Sequence, residues 1–308
     1  MTAAAESTSA LDESRAWMLL DALGRYAKAG RAVTSPCGLR LDSSDRLEVV
    51  SPELGWIRVQ PDVEPCYVAG VPLDRAAAQL FDLYMPLCVG AKSATLVLGH
   101  IGQSLDGQIA TASGASRYVT GPENLNHVHR LRALFSAVVV GADTVDRDDP
   151  QLTTRLVPGD NPARVVINPS CRLSPQRRVF QDTLAPTFLV CARGGGMNGH
   201  RPAHVQTVEV DAEGDHLPPA AIVAELRRRG LGRIFLEGGG YTVSRFVAAG
   251  ALDRLHVAVA PVLLGTGRPG LKLPEIDRMD EAARPPTRRF DLGSDVLFDC
   301  RLTGLRRA

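Results

Sequence analysis

Long apolar stretches, paired cysteines and an excess of one charge are all missing from this sequence. Its 308 residues carry 35 basic and 34 acidic side chains, a net charge of +1. Neither sign dominates, so no field invites nucleic acid or a charged membrane surface. No apolar run approaches the ~18 residues that a membrane span needs, and positions 1–14 lack the basic-then-apolar order of a secretion signal. Six cysteines stand at 37, 66, 88, 171, 191 and 300. None is spaced Cys-x-x-Cys, and a chain of this length needs no staples, so reduced packing cysteines in a cytoplasmic protein are expected. The seven histidines give no metal set: His127 and His129 are two apart, which on a helix points them to different faces. Residues 1–92 also lack the His-x-Glu and Pro-Cys-x-x-Cys spacing of a zinc deaminase.

What is present is ordinary for a globular protein: 44% hydrophobic and 22% charged residues, enough for one large or two modest domains. Residues 1 to about 10 read as disordered. Leu11, Trp17, Leu20, Leu23 and Ala27 form a helical stripe ended by Gly30, and Pro72 opens a second helix to about Cys88. Short β-like runs lie between them. Residues 1–92 therefore read as a small α+β appendage with no legible chemistry. A composition break at 89–93 marks a linker. Beyond it, in 93–308, strands and helices alternate: strands at 95–102, 137–140, 164–167, 187–191, 205–210, 254–260 and 296–302, helices from Pro122 and from Pro218 or Pro219. That alternation predicts an α/β domain with a mostly parallel central sheet flanked by helices.

Within it one stretch stands out. Ile234, Phe235 and Leu236 make a short buried strand; Glu237 follows, then Gly238, Gly239 and Gly240, then a helix with Val243, Phe246 and Val247 on one face and Gly250 as its stop. Backbone N–H groups of such a side-chain-free loop can cradle phosphate, and open α/β sheets place ligands at strand carboxyl ends. The glycines fit a plain turn equally well, and the stretch is not the Gly-x-Gly-x-x-Gly fingerprint. Three further polar clusters follow strands. In 103–107, Asp106-Gly107 fits a turn. In 113–118, Tyr118 either stacks on a ring or covers the core. In 141–155, four acids lie among Arg147, Arg155 and several hydroxyls, and Arg155, with Arg132 from the preceding helix, can clamp a phosphate.

Six motifs in order carry a resemblance: Gln-Ser-Leu-Asp-Gly-Gln-Ile-Ala (103–110), Thr-Ala-Ser-Gly-Ala-Ser-Arg-Tyr-Val-Thr (111–120), Leu-Arg-Ala (131–133), Asp-Thr-Val-Asp-Arg-Asp-Asp-Pro-Gln-Leu-Thr (143–153), Leu-Glu-Gly-Gly-Gly (236–240) and Ala-Pro-Val-Leu-Leu-Gly (260–265). Residues 94–304 resemble the reductase domain of the bifunctional pyrimidine deaminase–reductase of riboflavin biosynthesis. The resemblance implies a dihydrofolate-reductase-like fold, a homodimer, and hydride transfer from NADPH to the ring-opened sugar C1 of a ribosylamino-pyrimidine phosphate. It places the cofactor on Gln103, Tyr118, Thr144, Asp148, Asn168 and Arg172, and on Gly238, Gly239, Gly240, Tyr241, Thr242 and Val243. It places the substrate against His100, Ser116, Arg132, Leu152 and Arg155, with Glu237 as the catalytic residue and no metal. His100 stands where relatives often carry a lysine. Two other readings share the sequence: a dihydrofolate-, pterin- or secondary-metabolism reductase of the same fold, and a non-catalytic cofactor-binding protein.

Overall fold

The computed structural model describes residues 10–61, 63–90, 93–117, 119–195 and 202–303. The predicted disorder of the first residues, and Tyr118, lie outside the described residues. The chain divides into two compact units at Leu96/Val97. In the first, helices α1 (Glu13–Lys28) and α2 (Arg75–Cys88) pack together, with β1 (Cys37–Leu41), β2 (Leu47–Val50), β3 (Ile57–Val59) and β4 (Tyr67–Ala69) in an antiparallel sheet of order β2-β1-β3-β4. Both helices start two or three residues later than their apolar stripes suggest. The reason is the cap: Asp12 accepts from the Arg15 N–H at 2.9 Å, and Asp74 from the Ala77 N–H at 2.7 Å. Each carboxylate satisfies a backbone donor that the first helical turn leaves open.

The second unit runs β5 (Val97–Ser104), β6 (Gln108–Thr111), α3 (Pro122–Leu134), β7 (Ala137–Gly141), α4 (Ala142–Asp148), β8 (Ala163–Ile167), α5 (Arg178–Gln181), β9 (Thr187–Ala192), β10 (Val205–Val210), α6 (Pro219–Arg228), β11 (Ile234–Glu237), α7 (Gly240–Ala248), β12 (Arg254–Ala260), β13 (Gly267–Pro269), β14 (Thr287–Leu292) and β15 (Asp295–Arg301). Nine strands form one sheet, β10-β9-β8-β7-β11-β5-β12-β15-β14, parallel from β10 to β12 and antiparallel at the β15–β14 edge. The mostly parallel sheet is as the sequence predicts. The acid-rich stretch after β7 folds into α4, and β14 pairs at an edge, neither of which the apolar pattern announces.

Strand alternation decides which side chains meet which helix. Ala137, Val139, Ile234 and Leu236 point to the face where α6 and α7 bury Leu226, Val243 and Phe246. The residues between them, Phe235 and Glu237 on β11 and His100 on β5, point to the other face, beneath α3. Both faces are covered, which is why β7 and β8 are buried at every position.

Candidate active site

Glu237 ends β11 at the carboxyl edge of the parallel strands. Its carboxylate receives both arms of Arg132 from α3, Nε to Oε2 at 2.7 Å and Nη2 to Oε1 at 2.5 Å. The remaining guanidinium nitrogen, Nη1, donates to the Thr153 carbonyl at 2.8 Å. That carbonyl is aimed by Leu152, which sits at φ +58° with its side chain buried. A left-handed backbone is uncommon for leucine and is held only where packing over-determines it. The sequence reading gave Arg132 and Arg155 to one phosphate. Arg132 commits three of its five N–H donors to Glu237 and Thr153, a bidentate match of shape on the carboxylate. Arg155 stays exposed beside the pair.

Burial alone would raise the Glu237 pKa. The charge and hydrogen bonds of Arg132, then His100 and His129, more than offset it and leave the carboxyl below its ordinary value. Glu237 is therefore a carboxylate at neutral pH. His100, its neighbour in register on β5, is only 4% exposed and binds the Asn124 Oδ1 through Nε2 at 3.0 Å. Burial pushes its pKa down to about 4, so the ring is neutral where a lysine would be charged. Burial, then the charges of Arg132 and Arg155, likewise lower His129 to about 4, and its Nδ1 accepts the Arg155 backbone N–H at 2.9 Å.

Two residues beyond Glu237 a cleft of about 520 Å³ opens. Of the residues assigned to the cofactor, Thr144, Asn168, Arg172, Gly239, Tyr241 and Thr242 line it. Gly239 has φ +71°, and a Cβ there would stand 2.8 Å from the Thr144 hydroxyl, so only glycine leaves the wall open. Asn168 is fully buried on that wall, and its Nδ2 has no hydrogen-bond partner among the described residues. A buried amide donor without an acceptor is a cost in the folded protein. Arg172 is paired with Asp143 across the opening. Phosphate- and ribose-binding chemistry thus fits these residues.

Other assignments come out differently. The Val243 side chain turns into the core with no exposure, because it sits on the inner face of α7. Gly240 is packed under the Pro269 and Gly270 carbonyls, where a Cβ would meet oxygen at 2.5 Å. Gly238 donates its N–H to the His100 carbonyl at 3.4 Å. Gln103 lies on β5 against Gly270, and Asp148 at the end of α4 is exposed, neither lining the cleft. Ser116 is exposed in the loop after β6. Among the described residues no group of three or more His, Cys, Asp or Glu side chains is placed to hold a metal ion. Sequence reasoning missed Asn124 and His129, because α3 is polar along most of its length and its inward polar residues do not stand out.

A mostly parallel sheet with a cleft of about 520 Å³ and an anchored carboxylate at its carboxyl edge is the arrangement in which open α/β domains bind ligands. Residues 95–283 match the RibD C-terminal domain family, and the chain belongs to it. It is 34% identical over 215 residues to the 2,5-diamino-6-ribosylamino-4(3H)-pyrimidinone 5′-phosphate reductase of Methanothermobacter thermautotrophicus, a match covering 68% of this chain and 98% of that protein. It is 32% identical over 163 residues to the riboflavin biosynthesis protein RibD of Synechocystis, covering 53% of this chain but 44% of the relative. Thus the chain spans less than half the length of that relative. Among solved structures, a deaminase/5-amino-6-(5-phosphoribosylamino)uracil reductase from Thermotoga maritima shares the fold with a TM-score of 0.57 and 25% identity, covering 75% of this chain and 64% of that one.

Proposed function

We propose that the chain reduces a 6-ribosylamino-pyrimidine 5′-phosphate to its ribitylamino product with NADPH. The observation that carries the reading is the part-buried, doubly hydrogen-bonded Glu237–Arg132 pair, two residues from the glycine that opens the cleft. In the reaction, the sugar C1′–O4′ bond breaks as the exocyclic nitrogen forms an iminium, hydride adds to C1′, and O4′ takes up one proton. NADPH, when bound, supplies the hydride. Glu237, held as a carboxylate, faces the positive charge that develops on the C1′–N unit and orients the sugar hydroxyls. Preorganised charge of this kind acts without reorganisation at the moment of reaction. The neutral His100 and Asn124 beside it add hydrogen bonds without adding a repelling cation. Leu152 and Ser116 belong to the substrate side of this reading, and Gln103, Asp148, Gly238 and Gly240 to the cofactor side through backbone or side-chain contacts. Arg172 is the residue placed to meet a 2′-phosphate. A homodimer and a cytoplasmic location complete the proposal.

The test presents both the diaminopyrimidinone and the aminouracil forms of the substrate and follows nicotinamide absorbance at 340 nm. Oxidation of NADPH by either one is the expected result; oxidation by neither, with saturable cofactor binding intact, would leave a cofactor-binding protein and end the proposal. Arg155 is the open cation beside the pair, and Arg155→Ala is expected to raise KM for the phosphorylated substrate on the order of tenfold by loss of a charge-assisted bond. A substrate lacking the phosphate should show no such difference between the two proteins.

A further inference from the structure

The strand register carries more ionisable groups than the reaction uses. Glu237 on β11 is paired with His100 on β5, His100 with His256 on β12, and His256 with Asp299 on β15. In-register residues share a face, so these four form one row beneath α3. His100, His256 and Asp299 are 4% exposed or less. At the far end, Arg254 grips Asp299 with both arms, Nε to Oδ1 at 2.9 Å and Nη2 to Oδ2 at 2.7 Å. Asp299 Oδ1 also stands 3.3 Å from His256 Nε2, a close contact outside hydrogen-bond geometry. The other ring nitrogen, Nδ1, lies 3.0 Å from His127 Nε2 on α3, and the two rings stack at 5.1 Å.

Helix α3 therefore meets the sheet through polar contacts on three adjacent strands: Arg132 on β11, Asn124 on β5 and His127 on β12. An apolar interface would hold the helix at least as well, because burying polar groups costs desolvation that their bonds barely return. What apolar contacts lack is direction. Dispersion tolerates small slides of a helix over a sheet, whereas a hydrogen bond weakens steeply with angle.

We propose that His256 and Asp299 are positioning residues: through His127 they fix the lie of α3, and so the seat of Arg132 against Glu237 and of Asn124 against His100. The catalytic consequence rests on the reductase reading; the structural one does not. Around the row the charged or titratable groups are Arg130, His129 and Arg132 from α3, Glu237 from β11, Arg254 from β12 and Arg288, the register partner of Asp299, from β14.

The test replaces the stacked imidazoles by carbon rings in the full chain, His127→Phe with His256→Phe. In ¹⁵N-arginine-labelled protein the Arg132 Nε–H resonance, identified by its loss in Arg132→Lys, is expected to shift or broaden. At the same time the melting temperature should stay level or rise, kcat should fall about tenfold or more, as small misplacements of reacting groups do, and KM for NADPH should not change. Should the double variant not fold, Asp299→Asn is read by the same resonance and the same kcat. An unmoved Arg132 resonance, or a moved one with kcat intact, overturns the proposal. If the wild-type chain reduces neither pyrimidine, the reductase reading fails by itself, and the Arg132 resonance still decides whether His256 and Asp299 position the helix.

Discussion

Glu237→Gln is expected to lower kcat on the order of a thousandfold, the scale seen when a preorganised charge facing a reacting centre is removed, while KM for NADPH stays within about twofold. The substitution keeps the volume and one acceptor oxygen, so Arg132 Nε can still donate. The second arm, Nη2, then faces an amide N–H₂, and two donors confront each other. A guanidinium only 5% exposed is left half-paired. Breaking one partner out of a buried pair costs about 3–5 kcal/mol, so part of the loss would appear as instability. A double variant separates the two effects. Glu237→Gln with Arg132→Met removes the orphaned charge, and its melting temperature should recover part of the single variant's loss, because no unpaired guanidinium is left buried. Its kcat should not recover. Single-turnover rates of nicotinamide oxidation decide the matter: a Glu237→Gln protein with the wild-type rate removes Glu237 from the chemistry, whatever its stability. A double variant that recovers the rate would mean that Arg132, once unpaired, was the inhibitor.

The opening from Glu237 into α7 was legible because every part of it is local. A buried tripeptide, an acid, three glycines and an i, i+3, i+4 stripe sit within eighteen residues, and the helix stop at Gly250 lies where backbone geometry requires it. Gly239 follows from the same logic, whereas the cleft residues Thr144, Tyr241 and Thr242 came only through the family resemblance. Val243 shows the limit of assigning a run of residues to one ligand. A helix turns its side chains by 100° per residue, so consecutive positions cannot all face one cleft. The underside of α3 was not legible. His127 meets His256 across 129 residues, and Arg132 meets Glu237 across 105; no spacing within the helix announces partners that distant. The sequence argument that sent His127 and His129 to different faces was sound as far as it went. One binds a strand and the other the loop at Arg155, and each is buried and used. Asp12 and Asp74 mark a smaller gap. An apolar stripe locates a helix, but the capping carboxylate decides where it begins.

The same buried imidazoles predict a protein that loses stability early in acid. His100 and His129 have pKa values lowered to about 4, and His127 is held well below its ordinary value, in each case chiefly by burial. In the unfolded chain each returns to about 6.5. The unfolded state therefore binds protons first as pH falls, so the full stability is present above about pH 6.5 and drains away between there and about pH 4. His100 and His129 each account for about 2 kcal/mol by pH 5, at roughly 1.4 kcal/mol per pH unit. Together they approach the lower end of an ordinary domain's stability, about 5–15 kcal/mol, and His127 acts in the same direction. The carboxylates act in a second, lower window. Glu237 and Asp299 are both depressed by their cationic partners against the cost of burial, so their contribution holds above about pH 4 and is lost only below it. Hydrogen exchange of β5, β11 and β12 at pH 7.5 and pH 5.0, corrected for intrinsic rates, reads the first window. All seven histidines lie beyond Val97, and both tryptophans before it, so the first unit supplies an internal reference with no imidazole to titrate. Protection in the second unit should collapse toward pH 5 while that of α1 and α2 changes far less. Replacing His127 and His256 by phenylalanine should flatten part of the dependence, since one strongly displaced imidazole is then gone. Equal protection at both pH values would mean that the rings are solvated or already charged in the folded protein, and the polar underside of α3 would then have to be redrawn with water in it.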